Sequence, residues 1–449
     1  MNTNKILTDL GYRGHPLFGE IAQWARQFDD ESSLVLALGK HYPLRKAIGL
    51  NDKPAPLNTW LPEVTRVESS VYDQINTALR LPVAVKGALM PDAHPGYSLP
   101  IGGVVALDNA VAPAFVGFDI ACRMRCSIFI NDGVGMVSDL RQPEKHPMYL
   151  EYMLKSTSFG VGSTSVRRTD HEVMHDPLWN DLPILRNLKS LAQSQLGSSG
   201  SGNHFCNLMT GTALSDELPG LRYGNMFAAL LTHSGSRGVG GKLGKYYADL
   251  ADREVKARGF AVPKGYGWLD LSTDAGQEYW AVMQLMGKYA QANHQIIHAN
   301  FTRLTGLYAE TVVENHHNFA HKENGLIVHR KGATPAGLGV FGVIPGSSGT
   351  QSYIVRGKGN KASLESASHG AGRVSSRAKA KEVFDQAAFD QHMRERSITH
   401  YGVASDESWA AYKSIIEVMT AQHELVDSVA VMLPRIVVMG GLVRSDDGD

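Results

Sequence analysis

Nitrogen, sulfur and carboxylate side chains recur in this sequence at the ends of apolar runs, each among small residues. They are Asp92 and His94 in MPDAHPG, Asp119 and Cys122 in VGFDIACRM, Asn203 and His204 in GSGNHF, His233 in LTHSGSRG, and His316, His317 and Asn318 in ENHHNF. Imidazole and thiolate are ligands of divalent transition ions, and carboxylate neighbours make manganese acceptable beside zinc. Asp119 and Cys122, three residues apart on a turn, can bind one ion or bridge two. The residue types therefore predict a metal site.

Each of these histidines, taken alone, is more often a structural residue than a ligand. Their shared position in glycine- and serine-flanked loops favours the metal interpretation. Spacing does not identify the site, because the candidate ligands come from distant segments and match no short zinc motif.

Four loops are rich in glycine and serine: LGSSGSGN, HSGSRGVGG, PGSSGTQS and HGAGR. Such loops expose main-chain N–H groups and hydroxyls to an anion, and an arginine in two of them can fork a phosphate. No GxxxxGK[ST] segment is present, so none is a P-loop of that type. Beside a metal cluster, the loops predict a nucleotide or polyphosphate substrate.

His369 stands in SASHGAGR, where small neighbours leave its ring uncovered. By itself the stretch is equally well explained as a glycine-rich turn that contains an incidental histidine. Beside a metal and a nucleotide, a histidine can act as a nucleophile on phosphorus. A metal polarises the attacked phosphate and neutralises charge in the transition state.

Bulk composition narrows the class of protein. Lysine plus arginine and aspartate plus glutamate balance at 44 each over 449 residues, so no global basicity indicates a polyanion partner, although a local basic groove would be averaged away. Three cysteines, Cys122, Cys126 and Cys206, are no disulfide framework and fit a reducing compartment. We see no signal peptide and no apolar run long enough for a membrane span, and expect a cytoplasmic protein.

The predicted elements do not alternate regularly between strand and helix. Strand-like runs are LPVAVKGALM, GGVVAL, APAFVGFDIACRMRCSIFI, TVVENHH, GLIVHR, GVFGVI, SYIVRG and RIVVMGG. Helices are predicted in QWARQF and over 184–195, 240–256, 277–305, 377–389 and 408–425, the segment 277–305 being the longest. The fold class is therefore α+β, an irregular mixed α/β architecture with the active site in a cleft.

Domain boundaries are expected at two places. Residues 1–60 form a helical lead-in, residues 61–443 one large catalytic domain, and residues 444–449, within RSDDGD, a flexible tail.

The ordered set of motifs resembles the RtcB family of RNA-splicing and RNA-repair ligases. The resembling segments run from about residue 85 to 440: MPDAHPGYSLPIGGVVAL, VGFDIACRM, GSGNHF, LTHSGSRGVG, HHNF, HRKGATPA, IPGSSGTQSYIVRGKGN, SHGAGRVSSRAKAK and AYKSIIEVM. Motifs of this length in this order are far more specific than a single glycine-rich loop.

The resemblance implies a 3′-phosphate/5′-hydroxyl RNA ligase that depends on GTP and manganese, with two ions in its site. In that family a histidine is guanylylated, GMP passes to an RNA 3′-phosphate, and a 5′-hydroxyl end then attacks to seal the strand. A 2′,3′-cyclic phosphate is first hydrolysed at the same site. Expected partners are RNA with broken ends and an archease-like activator, and we expect a monomer.

The resemblance also implies roles for individual residues. His369 is the expected nucleophile, Asp119, Cys122, His204, His233 and His317 are the expected manganese ligands, and Arg237 is expected to contact RNA or phosphate. Expected nucleotide contacts are Asn203, Phe205, Cys206, Asn207, Asn318, Pro345, Gly346, Ser347, Ser348, Ser352, Gly370, Ala371, Gly372, Tyr412 and Met439. His316 is left unassigned.

Three positions depart from the family pattern. Asn207 stands where the family usually has a glutamate that recognises guanine, and Met439 where it has a lysine that reaches the nucleotide. ACRM replaces the expected GCGM and adds Arg123 beside the metal site. A carboxylate accepts from two guanine N–H groups, whereas asparagine offers one acceptor and one donor group. The departures leave the preferred nucleotide open and indicate a divergent branch.

Two other functions remain open at this stage. A metal-dependent phosphoesterase would open cyclic phosphates without ligation and would not need His369. A non-catalytic protein would bind RNA ends without turnover, although a buried histidine cluster without metal is poorly compensated.

Overall fold

A computed structural model describes residues 1–10, 12–14, 17–42, 48–64, 66–131 and 133–441. The helices, α1 to α14, are Thr3–Asp9, Phe18–Ala25, Glu31–His41, Ser69–Leu79, Pro113–Val116, Gly133–Asp139, His146–Ser156, Leu178–Asp181, Pro183–Gln195, Arg237–Ala257, Asp274–Thr305, Arg377–Glu382, Gln386–Glu395 and Ile415–Ala421. The strands, β1 to β17, are Leu57–Thr59, Ala84–His94, Ile101–Leu107, Ala110–Val111, Arg123–Phe129, Phe205–Ala213, Met226–Ser234, Leu269–Asp270, Thr311–His316, Asn318–Glu323, Leu326–Lys331, Ala333–Pro335, Phe341–Ile344, Ser352–Gly357, Ser366–Ser368, Thr399–Tyr401 and Val426–Met439.

The largest sheet has the strand order β13-β14-β17-β6-β7-β5-β9, and β16 pairs with the second half of β17. It curls until its two edge strands approach each other. Their closeness is shown by Val343 N on β13, which donates a 2.9 Å hydrogen bond to Asn315 Oδ1 on β9. Curling of this kind follows from the right-handed twist of strands and leaves little exposed edge. The sheet is nearly closed.

A second, five-stranded sheet has the order β1-β2-β3-β11-β10. The chain passes from β9 of the large sheet to β10 of this one across His317 alone. Between the two sheets, the short pair β12-β15 ends at Ser368, immediately before His369. The connection therefore brings a candidate ligand and the candidate nucleophile to the junction of the sheets.

Helix α11 is the longest in the described chain, as its apolar periodicity predicts. It begins after Thr273, whose side chain accepts from Gly276 N, and it ends at Gly306 with φ of +73°. Its buried stripe packs in the main hydrophobic cluster with α9 and α10. The predicted segments for α9 and α10 agree with the structure to within three residues at each end.

Five predicted elements differ from the structure. The run APAFVGFDIACRMRCSIFI holds a short helix, α5, because Pro113 at its first position favours a helical turn, and its strand β5 begins at Arg123. The helix predicted over 377–389 is two helices, since Asp385 starts the second one as its N-cap. The helix predicted over 408–425 is limited to α14, because 408–414 form only a 3-10 turn and irregular backbone, and β17 begins nine residues before RIVVMGG, at Val426. In QWARQF the helix ends at Ala25.

The mixed α/β fold class is confirmed. Helices α1 to α3 surround a small apolar cluster of their own, within residues 6–42, as expected for a helical lead-in. The predicted boundary at residue 60 stays a prediction, and β1, just before it, pairs with β2 in the five-stranded sheet. The predicted tail, 444–449, lies outside the described residues. Among the helices that the structure describes, none combines the length and apolarity of a membrane span.

Candidate active site at one end of the large sheet

The antiparallel register of the large sheet collects the candidate metal ligands at one end. Phe205, the first residue of β6, pairs with His233 near the end of β7. Arg123, the first residue of β5, pairs with Ser234 on one side and with His316, the last residue of β9, on the other. Strand starts and strand ends therefore meet here, although the four segments are far apart in sequence.

The five predicted ligands lie together in this place. Cys122 Sγ is 3.5 Å from His204 Nε2 and 3.0 Å from His233 Nε2. Asp119 Oδ2 lies 2.9 Å from His204 Nε2, and His233 Nε2 lies 3.1 Å from His317 Nε2. One ligand atom from each of Cys122, His204 and His233 lies within 4.8 Å of the others. The grouping expected from the sequence is present in the fold.

Main-chain oxygens orient two of the imidazoles. His204 Nδ1 lies 3.1 Å from Ser199 O, and His233 Nδ1 lies 3.0 Å from Asn203 O. His204 Nδ1 also faces a donor, Arg237 Nη1, at 3.1 Å. When His233 Nδ1 donates to Asn203 O, its Nε2 presents its lone pair to the cluster. This is how metal-binding imidazoles are fixed in one tautomer.

Burial determines the charges in the cluster. It lowers the pKa of His233 to about 3, with His204 and His369 adding to the effect, and it lowers the pKa of His317 well below 6.5. Burial and the nearby Asp119 raise the pKa of the Cys122 thiol well above 9. Burial opposes ionisation of Asp119, but hydrogen bonding and charge from His204 hold its pKa at about 2. Without a cation, His233 and His317 are neutral imidazoles, Cys122 is a thiol and Asp119 is a carboxylate.

A chain of buried polar side chains from α11 supports this end of the sheet. His294 Nε2 donates to Ser234 O at 3.1 Å, so its Nδ1 accepts from Thr232 Oγ1 at 2.6 Å. Thr232 Oγ1 in turn accepts from His298 Nε2 at 2.8 Å, and His298 Nδ1 accepts from Ser127 Oγ at 2.7 Å. Thr232 and Ser234 flank the predicted ligand His233. Neither α11 histidine was singled out from the sequence, because both lie within its apolar stripe.

His369 is held by a buried carboxylate. Its Nδ1 lies 2.6 Å from Asp92 Oδ2, its main-chain N donates to the same oxygen at 3.3 Å, and Asp92 is fully buried. The ring centroid of His369 is 4.9 Å from that of His317. Asp92 was singled out from the sequence without a role, and the structure makes it the partner of His369.

A cavity of about 390 Å³ opens between this end of the sheet and the SASHGAGR turn. Its walls include most of the expected nucleotide contacts: Asn203, Phe205, Asn207, Pro345, Gly346, Ser347, Ser348, Ser352, Gly370, Ala371, Gly372, Tyr412 and Met439. His233 and His369 also line it. At Gly372, with φ of +72°, an added Cβ would lie 2.1 Å from Asp92 O, so only glycine fits there.

Three expected ligand contacts lie outside the walls of this cavity. The Cys206 side chain is fully buried in an apolar cluster on the other side of β6, so only its main chain is available to a nucleotide. The Asn318 side chain connects the turn at Asp119 with Gly332, donating to Asp119 O at 3.4 Å and accepting from Gly332 N at 2.9 Å. Arg237 lies behind His204, its Nη1 being 3.1 Å from His204 Nδ1.

Two arginines at the cavity wall were not assigned from the sequence, although both lie in the basic segment SHGAGRVSSRAKAK. Arg377 Nη1 donates to Asp406 Oδ2 at 2.7 Å and also contacts Glu407. Arg373 lies over the Tyr412 ring at 5.2 Å, and Tyr412 OH bonds Glu407. Nearly buried carboxylates thus fix two cations that face the cavity.

The wall of the cavity that β6 and β17 form is neutral. Asn207 and Met439 lie there on neighbouring strands, β6 and β17, with Phe205 and Val437 beside them. Asn207 Oδ1 accepts from Val438 N at 3.4 Å, so its amide nitrogen is the group left for a ligand. The structure therefore presents N–H donors where a carboxylate would present acceptors.

Comparison with known proteins is consistent with this site. The sequence profile of the family described as "tRNA-splicing ligase RtcB" matches residues 74–176 and 166–440. The RNA-splicing ligase RtcB of Escherichia coli (strain K12) is 31% identical over 430 residues, covering 87% of this chain and 99% of that protein. The tRNA-splicing ligase RtcB of Archaeoglobus fulgidus is 30% identical over 430 residues, covering 79% of this chain and 87% of its own. The tRNA-splicing ligase RtcB of Nanoarchaeum equitans is 31% identical over 445 residues, covering 83% of this chain and 92% of that protein. The chain belongs to the RtcB family of RNA-splicing ligases.

Proposed function

We propose that this protein joins RNA 3′-phosphate or 2′,3′-cyclic phosphate ends to 5′-hydroxyl ends through a nucleotidyl-histidine, with GTP and Mn²⁺. One observation carries the proposal: Asp92 fixes His369 at 2.6 Å, and the ring lies beside the ligand cluster at the wall of a cavity large enough for a nucleotide. With Nδ1 bonded to Asp92, Nε2 of His369 is left with its lone pair. An imidazole in that state is a nucleophile.

The donor set fits divalent cations. His233 Nε2 and His317 Nε2 face each other at 3.1 Å, and the pKa values of both imidazoles are too low for either to be charged near neutral pH. His317 Nδ1 has no hydrogen-bond partner within the described structure. A divalent cation between these two nitrogen atoms would accept a lone pair from each imidazole. Asp119, Cys122, His204, His233 and His317 would hold the ions, which supply charge neutralisation at the attacked phosphate.

The proposed chemistry uses the chain's own groups as follows. His369 Nε2 attacks the α-phosphorus, so that an N–P bond forms while the bond to the pyrophosphate oxygen breaks. An oxygen of the RNA 3′-phosphate then attacks the same phosphorus and releases His369 with its lone pair restored. The 5′-hydroxyl attacks the activated 3′-phosphate and expels the nucleoside monophosphate. Arg373 and Arg377 are placed to bind phosphate oxygens throughout.

Other parts of the proposal have lighter support. RNA with broken ends is the expected substrate, an archease-like protein the expected activator, and a monomer in the cytoplasm the expected state. Cys122, Cys126 and Cys206 are all free and buried, which fits a reducing compartment.

Ligation itself provides the test. Purified protein, Mn²⁺ and GTP are incubated with one RNA that ends in 3′-phosphate and another that begins with 5′-hydroxyl. Wild type should form the joined product, and His369→Ala should form none. His423→Ala is the matched control, since His423 is exposed, its Nδ1 lies 3.0 Å from Thr420 O outside the cavity wall, and its loss should leave joining intact. Joining by His369→Ala at the wild-type rate would contradict the proposal.

A metal-dependent phosphoesterase without ligation is the second candidate. The neutral base end of the cavity, with Asn207 and Met439, favours it, because nucleotide recognition is the part of the site that departs from the family pattern. It predicts opening of 2′,3′-cyclic phosphates that survives His369→Ala, with no joined product from wild type.

A further inference from the structure

Two aromatic rings, exposed to solvent, are in contact next to the metal cluster. Tyr97 is 73% exposed and Phe118 is 44% exposed, and their ring centroids are 6.2 Å apart at an interplanar angle of 46°. Phe118 directly precedes the predicted ligand Asp119, so its ring starts one residue from the site. Neither ring was given a role by sequence reasoning or by the proposed chemistry.

The main chain that presents Tyr97 is fixed from below. The buried side-chain nitrogen of Lys331 donates to Tyr97 O and, at 3.3 Å, to Ala114 O in α5. Tyr266 OH donates to Ser98 O at 2.6 Å, and Ser98 has the left-handed φ of +62°. A left-handed backbone at Ser98 and a buried lysine therefore fix the main chain that carries the exposed Tyr97 ring, which indicates a functional rather than an incidental position.

Phe118 is fixed in a similar way. Gly117 before it has φ of +92°, and helix α10 approaches so closely that a Cβ at Gly244 would lie 3.0 Å from Phe118 Cα. The backbone on both sides of the ring pair is therefore determined by packing, while the faces of the rings remain open to solvent.

The helix packed against Phe118 is basic on its exposed side. Lys242 and Lys245 of α10 are both exposed and lie three residues apart on one face, and from Arg237 to Ala248 the helix carries no acidic residue. Open aromatic faces beside a basic surface are the combination that binds single-stranded nucleic acid, because bases stack on the rings and cations follow the phosphates.

We propose that Tyr97 and Phe118 form a stacking platform for an unpaired base of the RNA strand whose end is in the active site. The inference rests on the proposed function and adds a subsite to it. Two rings are too small an area for a stable protein interface, whereas one unpaired base needs no more than this. A paired duplex would keep its bases stacked on each other, so the platform favours single-stranded ends.

The test measures stacking directly. Single-stranded RNAs with a 3′-phosphate carry 2-aminopurine at successive positions from the end, and fluorescence is recorded with metal-loaded protein. At one position wild type should quench the fluorophore, and Tyr97→Ala should restore it and weaken RNA binding about fivefold to a hundredfold. Tyr97→Phe should behave as wild type. Tyr223→Ala is the control, since Tyr223 is 74% exposed and lies on the loop between β6 and β7.

Phe118→Ala and an abasic RNA complete the design. Replacing the stacked base by an abasic site should weaken wild-type binding and abolish the difference between wild type and Tyr97→Ala. Phe118→Ala should weaken RNA binding at unchanged Mn²⁺ affinity. Equal RNA affinity and equal quenching for wild type and Tyr97→Ala would overturn the platform while leaving the ligase intact. Absence of ligation by wild type, with RNA binding and quenching retained, would instead overturn the proposed function.

Discussion

The two ends of the catalytic cavity are built differently. At the metal end, hydrogen-bond partners orient the imidazoles: His204 by Ser199 O, His233 by Asn203 O, and His369 by Asp92. At the base end, Asn207 makes one long bond of 3.4 Å and Met439 is apolar. Under the proposed function, the chemistry demands fixed atoms at the first end, whereas the second end would only select among bases that share the same phosphates.

This difference predicts that the rate of the reaction and the preference among nucleotides depend on different residues. Changes at the metal end should stop or slow the reaction for every nucleotide, because the phosphates are common to all. Changes at the base end should redistribute rates among nucleotides while the reaction itself persists. The following variants are ordered by the size of effect that this division predicts.

Asp92→Asn should have the largest effect. The amide keeps the shape of the carboxylate but removes its charge and can turn an N–H toward His369 Nδ1, which favours the wrong tautomer. The rate of nucleotidyl transfer to His369 should fall by about 10³ to 10⁴ for every nucleotide. The rate is measured by single-turnover labelling with each triphosphate.

Asp252→Asn controls for loss of a structural carboxylate, since Asp252 accepts only from the main-chain N–H groups of Gly265 and Gly267 among its described bonds. A loss confined to one nucleotide in Asp92→Asn would break the proposed division of the cavity.

Cys122→Ala and Cys206→Ala each remove one buried thiol, and only the first is expected to affect the metal. Removing the Cys122 thiol should weaken Mn²⁺ binding more than about 100-fold. Loss of a direct ligand should cost more affinity than loss of a residue that only hydrogen-bonds a ligand, which costs about 10- to 100-fold. Cys206→Ala removes an equally buried thiol that packs on apolar side chains, and it should leave Mn²⁺ affinity unchanged. Isothermal titration of both variants decides the matter, and equal affinities would mean that Cys122 is not a ligand.

The α11 histidines should make stability depend on pH. Burial lowers the pKa of His294 and His298 well below 6.5, so both stay neutral in the folded chain while their unfolded forms take up protons. The free energy of unfolding should therefore be fully present above pH about 6.5 and fall as pH decreases below it, by up to about 1.4 kcal/mol per pH unit for each histidine.

Urea unfolding of metal-free protein at about pH 7 and about pH 5.5, on either side of the ordinary histidine pKa, measures this decline. His298→Gln should make it shallower. An unchanged slope would show that His298 is charged or exposed in the native state.

Asn207→Glu should have the smallest effect on the reaction and a clear effect on preference. A carboxylate accepts from the two N–H groups of the guanine edge, so the ratio of rates with GTP and ATP should rise by about tenfold or more. Asn207→Gln is the control, because it has the length of glutamate and keeps the amide. If both variants show the wild-type ratio, position 207 does not contact the base.

The metal end could be predicted from the sequence better than the base end. The candidate ligands stand in loops beside glycine, where residue type alone is informative, and the strand register then brings them together. His294 and His298 could not be identified, because on a helix with an apolar stripe they look like core residues. The role of Asp92 depends on β2 reaching the SASHGAGR turn, a tertiary contact between residues 277 positions apart.

The short helix α5 shows a similar limit. Its residues have strand-like composition, yet Pro113 at its first position and Gly117 at its C-terminal end determine the local structure. Likewise, Cys206 could not be assigned to the core from the sequence, because strand alternation shows which residues share a face but not which face meets the cavity.

Covalent labelling of His369 tests the central claim most directly. Protein with Mn²⁺ is incubated with each α-labelled nucleoside triphosphate, and the adduct is mapped by peptide mass spectrometry. The account predicts an acid-labile nucleoside monophosphate on His369, absent from His369→Ala and strongly reduced in Asp92→Asn. A nucleotide on another residue, or no adduct with any triphosphate from a protein that binds Mn²⁺, would contradict it.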